Sequence, residues 1–447
     1  MTDLVFIFGK NWMLSLAELI VYLEDRGLLR ELKDYSKMGA VVTTSRPVKD
    51  GDIIDIQGAL GGCFKVARLF HTYPLLLLKD AFPNKGTAKR AARNNLEDFP
   101  WLHEVFGKPR GKKITYGVST YPSQTREAPA HYLHFTRGMN EYIKKQLLEK
   151  GAKKADYIVY DKPDQRNPRR INTSLWPHTI AKHKLLKRPN AEILAVFTES
   201  SVYLARTIAV YDSMLQQYRD ESRPFISAEI STSPKVCRTL LTLAGAKPGD
   251  TILDPFCGSG TLLMEAALQD MNCIGIDIDG NAVSGTQRNL IWLGKDLGVH
   301  INFSIQKGDA READKIVHSQ VDAVAFEPHL GPLFRKRQNW DEAERIIVEL
   351  TLLYRATLKA IGKILRPDGR IAMTIPVILT HKGDISIDIK QMLKGTEFEV
   401  YKLLPHHVFS KIDMSKREID INTNRTILPE RKRGQIVQRA VVMLGRG

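Results

Sequence analysis

No stretch of this 447-residue chain stays apolar for the roughly 20 residues that a bilayer-spanning helix needs. The first ten residues also lack the basic segment and cleavage site of a signal peptide. Both absences lead to the expectation of a cytoplasmic protein with no membrane partner. Cysteine is scarce: Cys63, Cys237, Cys257 and Cys273 show no C-x-x-C or Cys/His spacing. That pattern predicts reduced thiols and excludes a zinc ribbon or a disulfide framework, so no metal is expected. Internal repeats and low-complexity segments are missing too. Neither a G-x-x-x-x-G-K-[ST] loop nor a full G-x-G-x-x-G is present, so neither a nucleoside triphosphate nor NAD is favoured.

Acidic residues are the last shortage, at 50 against 66 lysines and arginines, for a formal net charge of +16. The imbalance is local. Residues 101–200 carry 19 basic against 9 acidic side chains, more than half of the excess in under a quarter of the chain. Charge concentrated in this way is the footprint of a polyanion. Two groups stand out: Arg166, Arg169 and Arg170 in one polar loop, and Lys182, Lys184, Lys187 and Arg188 around His183. Aromatics that would stack on single-stranded bases are few here, so contacts to phosphates and 2′-hydroxyls of a folded RNA fit better.

The most informative segment is Asp254-Pro255-Phe256-Cys257-Gly258-Ser259-Gly260-Thr261. It follows an apolar, strand-like run (Thr251 to Leu253) and opens a helical run from Leu262 to Leu268. A strand that delivers a carboxylate into a tight glycine turn at a helix start is how an open α/β sheet holds a nucleoside ligand. A second strand-like run ends 23 residues later at Asp277, an offset at which an acid can hydrogen-bond both hydroxyls of a ribose. An aspartate leading into the turn would repel a pyrophosphate and attract a cationic amino-acid moiety. The candidate ligand is therefore S-adenosylmethionine (SAM), with Asp254, Phe256, Gly258, Gly260 and Asp277 as candidate binding residues.

With these motifs the chain resembles a known family. DPFCGSGT, the GIDID around Asp277 and the stretch RDESRPFISAEISTSPKVCRTLLTLAG from Arg219 are similar to the methyltransferase half of THUMP-domain tRNA guanine-N2-methyltransferases of the guanine-10 type. The likeness is strongest over 218–332, looser over 60–205, and rests on placement alone before that. It implies an α/β protein in three parts. A ferredoxin-like α+β unit would occupy 1–60, an α+β THUMP-like RNA-binding domain 61–205, a linker 206–225 and a Rossmann-like methyltransferase domain 226–447. In that last part, strand-like runs begin near Thr251, Cys273, Asn302, Val321, Arg370, Phe398 and Ile436, giving the seven strands of the family's doubly wound sheet. The implied activity is SAM-dependent methylation of the exocyclic N2 amine of a guanine in tRNA. Whether a helper subunit takes part is open. DPFCGSGT also occurs in DNA amino-methyltransferases, but one large class of those places the acceptor turn before this loop, whereas here it follows.

Related enzymes hold the target amine in a (D/N)-P-P-(Y/F) turn after the fourth strand. The corresponding residues here are Glu327-Pro328-His329-Leu330-Gly331-Pro332. The resemblance gives Glu327, Pro328 and His329 the catalytic positions, although glutamate is longer than aspartate by one methylene and Leu330 replaces the aromatic. Three outcomes fit: an active variant, a changed substrate, or lost catalysis with retained RNA binding. Retention of an acid, Pro328 and Gly331 favours the first. His329 either stacks on the base or faces water. Asp309, after the third strand, matches the position that accepts from the adenine amine of SAM, and Arg431-Lys432-Arg433 is a basic run before the last strand. Nearer the start, Ser15-Leu16-Ala17-Glu18 reads as a capping box opening a helix.

Overall fold

The computed structural model describes residues 1–82, 101–123, 129–158, 172–226, 232–332, 334, 336–414, 417–431 and 434–447. Arg166, Arg169, Arg170, Lys432 and Arg433 lie outside the described residues.

Two sheets organise the chain. The first contains β1 (Asp3–Phe8), β2 (Leu29–Ser36), β3 (Gly39–Thr44), β4 (Cys63–Pro74), β5 (Lys113–Tyr121), β6 (Lys154–Tyr157), β7 (Ala191–Phe197) and β8 (Ser201–Val210). Their order is β2-β3-β1-β4-β8-β7-β5-β6, so one sheet runs without interruption across residue 60. The segment 206–225, expected as a linker, holds the end of β8 and a helix, Ser213–Ser222; Asp212 caps that helix by accepting from the amides of Met214 and Leu215.

The second sheet contains β9 (Thr251–Asp254), β10 (Asn272–Asp277), β11 (Phe303–Lys307), β12 (Ala323–Phe326), β13 (Ile371–Leu379), β14 (Asp384–Ser386), β15 (Phe398–Val400), β16 (Ile427–Glu430) and β17 (Val437–Arg446). Nine strands replace the expected seven. The seven foreseen form the path β11-β10-β9-β12-β13-β17-β15, and the short β14 and β16 pair with β13 and β17 off that path. Strands β11, β10, β9, β12 and β13 run parallel, whereas β17 is antiparallel to β13 and β15. The order reverses between β9 and β12. In an open α/β sheet, the crevice at the carboxyl ends of such a pair is where ligands bind, and here Asp254 and Glu327 stand at those ends.

The first helix begins at Trp12, so the expected capping box is inside it. Ser15 donates instead to the Asn11 carbonyl. Glu18 crosses to another element, where its two oxygens accept from the amides of Gly61 at 2.6 Å and Gly62 at 2.8 Å. Capping was misread because the same S-x-x-E spacing also puts both residues on one buried helix face. At Gly61 a Cβ would sit 1.9 Å from the Lys235 carbonyl oxygen. This glycine lets the chain pass against the helix Pro234–Leu243, and Leu16, Leu19 and Leu23 join Leu240 and Leu241 in one core. The N-terminal unit is thus packed onto the second sheet's own helix.

Burial pushes the Glu18 carboxyl up from its usual 4.5 to about 7, against the lowering by the two amides, Thr239 and Arg238. A raised acid stabilises the fold at low pH and loses that contribution as pH rises through 7. Between pH 4.5 and 7.5 the native protein should lose about 3 kcal/mol more stability than Glu18→Leu, read from urea midpoints at each pH. Parallel pH curves for the two proteins would refute the assignment.

Candidate active site

The loop after β9 owes its shape to two glycines in left-handed conformation, Gly258 at φ +51° and Gly260 at φ +77°. A Cβ on Gly260 would come within 2.6 Å of Thr286, while the Thr286 hydroxyl donates to the Gly258 carbonyl at 2.7 Å. Gly260 therefore serves the turn and its packing and is not on the pocket wall. Asn289, on the same helix as Thr286, donates to the carbonyls of Ser259 and Phe225 and accepts from the Phe225 amide. The strand-end acids hold the rest of the loop. Asp254 accepts from the Phe256 amide at 3.0 Å, and Asp277 accepts from the Gly258 amide at 2.8 Å and the Asp279 amide at 2.9 Å.

This loop forms one side of a pocket of about 1080 Å³ whose wall includes Asp254, Phe256, Gly258, Asp277, Asp309 and the turn from Glu327 to Pro332. Every candidate cofactor and catalytic residue except Gly260 meets there. Burial and the neighbouring charges of Asp277 and Glu327 push the Asp254 carboxyl well above the usual carboxylate range, although the Phe256 amide opposes them. Among the described residues neither Asp254 nor Asp277 has an ion-pair partner. Two acids held without a cation suit a ligand that brings positive charge.

Cys257 is also on the wall. Burial pushes its thiol far up, so it is no thiolate nucleophile at neutral pH. Asp309 is engaged differently from its expected role. Arg311 donates to both of its oxygens, at 2.6 Å from Nη2; this hydrogen bonding lowers the carboxyl. Since Arg311 is exposed, the pairing is weak enough to open for a ligand.

The turn after β12 is fixed from two directions. The helix Trp340–Gly362 carries acids in its first turn, a lysine in its last and a buried stripe through Ala343, Ile347, Leu350 and Leu358, an arrangement that matches its dipole and its core. That stripe delivers Tyr354, whose hydroxyl donates to the His329 carbonyl at 2.6 Å. The His329 side chain is exposed while Pro328 is buried, and both are on the pocket wall. From β17, Arg439 donates through Nη2 to Glu327 Oε1 at 2.9 Å and through Nε to Oε2. Phe256 stacks on Phe326 with centroids 5.6 Å apart, closing the floor.

Arg439, Tyr354 and Asn289 escaped the sequence reading. One signal for Arg439 was present: a lone arginine in the otherwise apolar run Ala440 to Leu444 and its approach needs a buried acceptor. The basic candidates Lys182, Lys184, Lys187 and Arg188 are exposed at the end of the helix Pro177–Lys182 and the turn after it, and none of them is on this pocket's wall.

Residues 221–382 match a family profile described as an RMKL-like methyltransferase domain, and residues 89–288 match one described as a DNA methylase. Over 192 residues the chain is 34% identical to the tRNA (guanine(10)-N2)-dimethyltransferase of Methanothermobacter thermautotrophicus, covering 43% of this chain and 52% of that protein. Over 243 residues it is 27% identical to the protein of that name from Methanocaldococcus jannaschii, covering 52% and 61%. The chain thus spans between half and two thirds of the length of these curated relatives. The crystal structure of TrmN from Thermus thermophilus superposes over 100% of both chains with a TM-score of 0.51 at 16% identity, a likeness of fold. Among the described residues no helix is long and apolar enough to cross a membrane, and none of their His, Cys, Asp and Glu side chains cluster as a metal site would require.

Proposed function

We propose that this chain is a SAM-dependent methyltransferase acting on the N2 amine of a guanine in tRNA, of the guanine-10 type named in its curated relatives. The observation that carries the reading is the convergence, at one strand-order reversal, of two acids without cations and an acid-proline turn. Asp277 would hold the ribose hydroxyls, Asp254 the amino-acid end and Asp309 the adenine amine. Bound SAM would supply an electrophilic methyl group, with its sulfur as the acceptor of the electrons of the C–S bond.

An exocyclic guanine amine is a weak nucleophile because its lone pair is delocalised into the ring. Glu327 and the Pro328 carbonyl accept its two hydrogens and turn the lone pair toward the methyl carbon. Once the new C–N bond has formed the nitrogen is cationic, and one of those hydrogens passes as a proton to the Glu327 carboxylate and from there to water. Alignment of this kind supplies much of the rate. Tyr354 keeps the turn's backbone in place through the His329 carbonyl. The first sheet, in its expected division into a ferredoxin-like unit and a THUMP-like domain, supplies the RNA-binding surface through its basic residues, including the exposed group from Lys182 to Arg188. A cytoplasmic location accords with a tRNA substrate.

The match to a DNA methylase profile supports a second reading, methylation of a DNA amine. Incubation with tritiated SAM and tRNA lacking the modification, with duplex DNA as competitor, decides between them. Label in tRNA that DNA fails to displace supports the proposal. Label only in DNA establishes the alternative, and cofactor binding with no label in either removes the enzymatic reading.

A further inference from the structure

The acid at the turn is a glutamate, and a glutamate has one more rotatable bond than the aspartate or asparagine of the turns it resembles. Left free, its carboxylate would sweep an arc wider than the 1 Å or so that amine alignment tolerates. The structure removes that freedom from the far side of the pocket. Arg439 meets Glu327 side-on, Nε and Nη2 each facing one oxygen, and Thr374 on β13 lies 3.5 Å from Oε2. The pair is nearly dry, with side chains only 10% and 12% exposed, yet both residues remain on the pocket wall. A fork that occupies the carboxylate's inner lone pairs leaves the outer ones to accept from a ligand.

We propose that Arg439 is the positioning residue of the methyl-transfer site: it clamps the long Glu327 side chain so that one outer lone pair faces the target amine. The inference rests on the methyltransferase reading above and adds a residue on β17, some 110 positions from the turn it serves. It also gives a reason why a glutamate is tolerated there, since the guanidinium draws the extra methylene back toward the sheet.

The charges around Glu327 show why the clamp matters. Asp254 at the end of β9 and Glu430 on β16 are acidic too, and Glu430 lies 3.9 Å from the Arg439 guanidinium. Without Arg439 no guanidinium would stand between Glu327 and these acids, and like-charge repulsion would push the carboxylate out of the position that the fork gives it.

The test is the kinetics of the full-length protein on tRNA, for wild type, Arg439→Lys and Arg439→Met, with SAM affinity measured beside them. Loss of the clamp should lower kcat about a hundredfold in the methionine variant, and by less in the lysine variant, which keeps one donor. KM for tRNA and Kd for SAM should stay within about threefold, because the clamp acts on alignment and not on ground-state binding. Arg439→Met placed on Glu327→Ala should add little further loss, since the two residues act as one unit. A loss carried by KM or by SAM affinity with kcat intact, or losses that multiply in the double variant, would show a merely structural arginine and overturn the proposal. Wild-type protein that binds SAM yet labels no tRNA would instead sink the methyltransferase reading, and this one with it.

Discussion

Glu327→Ala should lower kcat for methyl transfer by about 10³, within the 10² to 10⁴ range of positioned proton-handling groups, while SAM affinity stays within about threefold, a bound that follows from Glu327 contacting the amine and not the cofactor. The alanine variant also strands a buried guanidinium, at a stability cost of about 3 to 5 kcal/mol. Glu327→Gln keeps the volume and an acceptor oxygen, so it separates the chemical loss from the structural one. Single-turnover rates with saturating SAM are the measurement. If Glu327→Ala retains more than a tenth of wild-type turnover, the amine is held by something else. Glu327→Asp sharpens the point. Shortening the side chain pulls the carboxylate off the Arg439 fork, and a displacement of about 1 Å is expected to cost on the order of a hundredfold. An increase on that change would mean that the turn is a decayed form of the shorter-acid motif and that the protein works by RNA binding alone.

The second large effect falls on the cofactor. Asp277→Ala removes the acceptor proposed for the ribose hydroxyls and also the partner of the Gly258 and Asp279 amides. Two charge-assisted hydrogen bonds at roughly 1.5 to 3 kcal/mol each imply that Kd for SAM rises about 10² to 10⁴-fold. Calorimetry with SAM and its demethylated product measures this without RNA. Asp277→Asn, which keeps an acceptor for the Gly258 amide, should lose less. A change in Kd smaller than threefold for the alanine variant would move the ribose site away from β10 and leave the account of the pocket without its anchor.

That Asp254, Gly258 and Asp277 share one pocket was readable because the determinants are local. Asp254, Gly258 and Gly260 lie in one loop, and positive φ at both glycines is a demand of the turn itself. Asp277 closes onto that loop from the end of the adjacent parallel strand, a distance fixed by one strand-helix-strand unit. Errors came where one spacing serves two purposes. Ser15 and Glu18 have the separation of a capping box, yet the helix had already begun at Trp12, so the pair marks a buried face whose acid reaches Gly61 and Gly62. Strands β14 and β16 were missed for another reason. At three and four residues, they stand off the main path of the sheet and exist only by pairing with β13 and β17.

The order of side chains alone settled the chemistry on offer: an acid-glycine turn, a second acid one unit later, an acid-proline turn after the fourth strand, and a basic surplus in residues 101–200. Each of these is a neighbourhood property, set by steric limits on φ and by charge within a few residues. Tertiary structure decided how that chemistry is held. Arg439 finds Glu327 only because β17 inserts antiparallel beside β13, and Gly61 meets Lys235 only because the N-terminal helix packs on the second sheet. Contacts between residues more than a hundred positions apart depend on loop closure and shared burial, which leave no periodic trace in either partner's own segment.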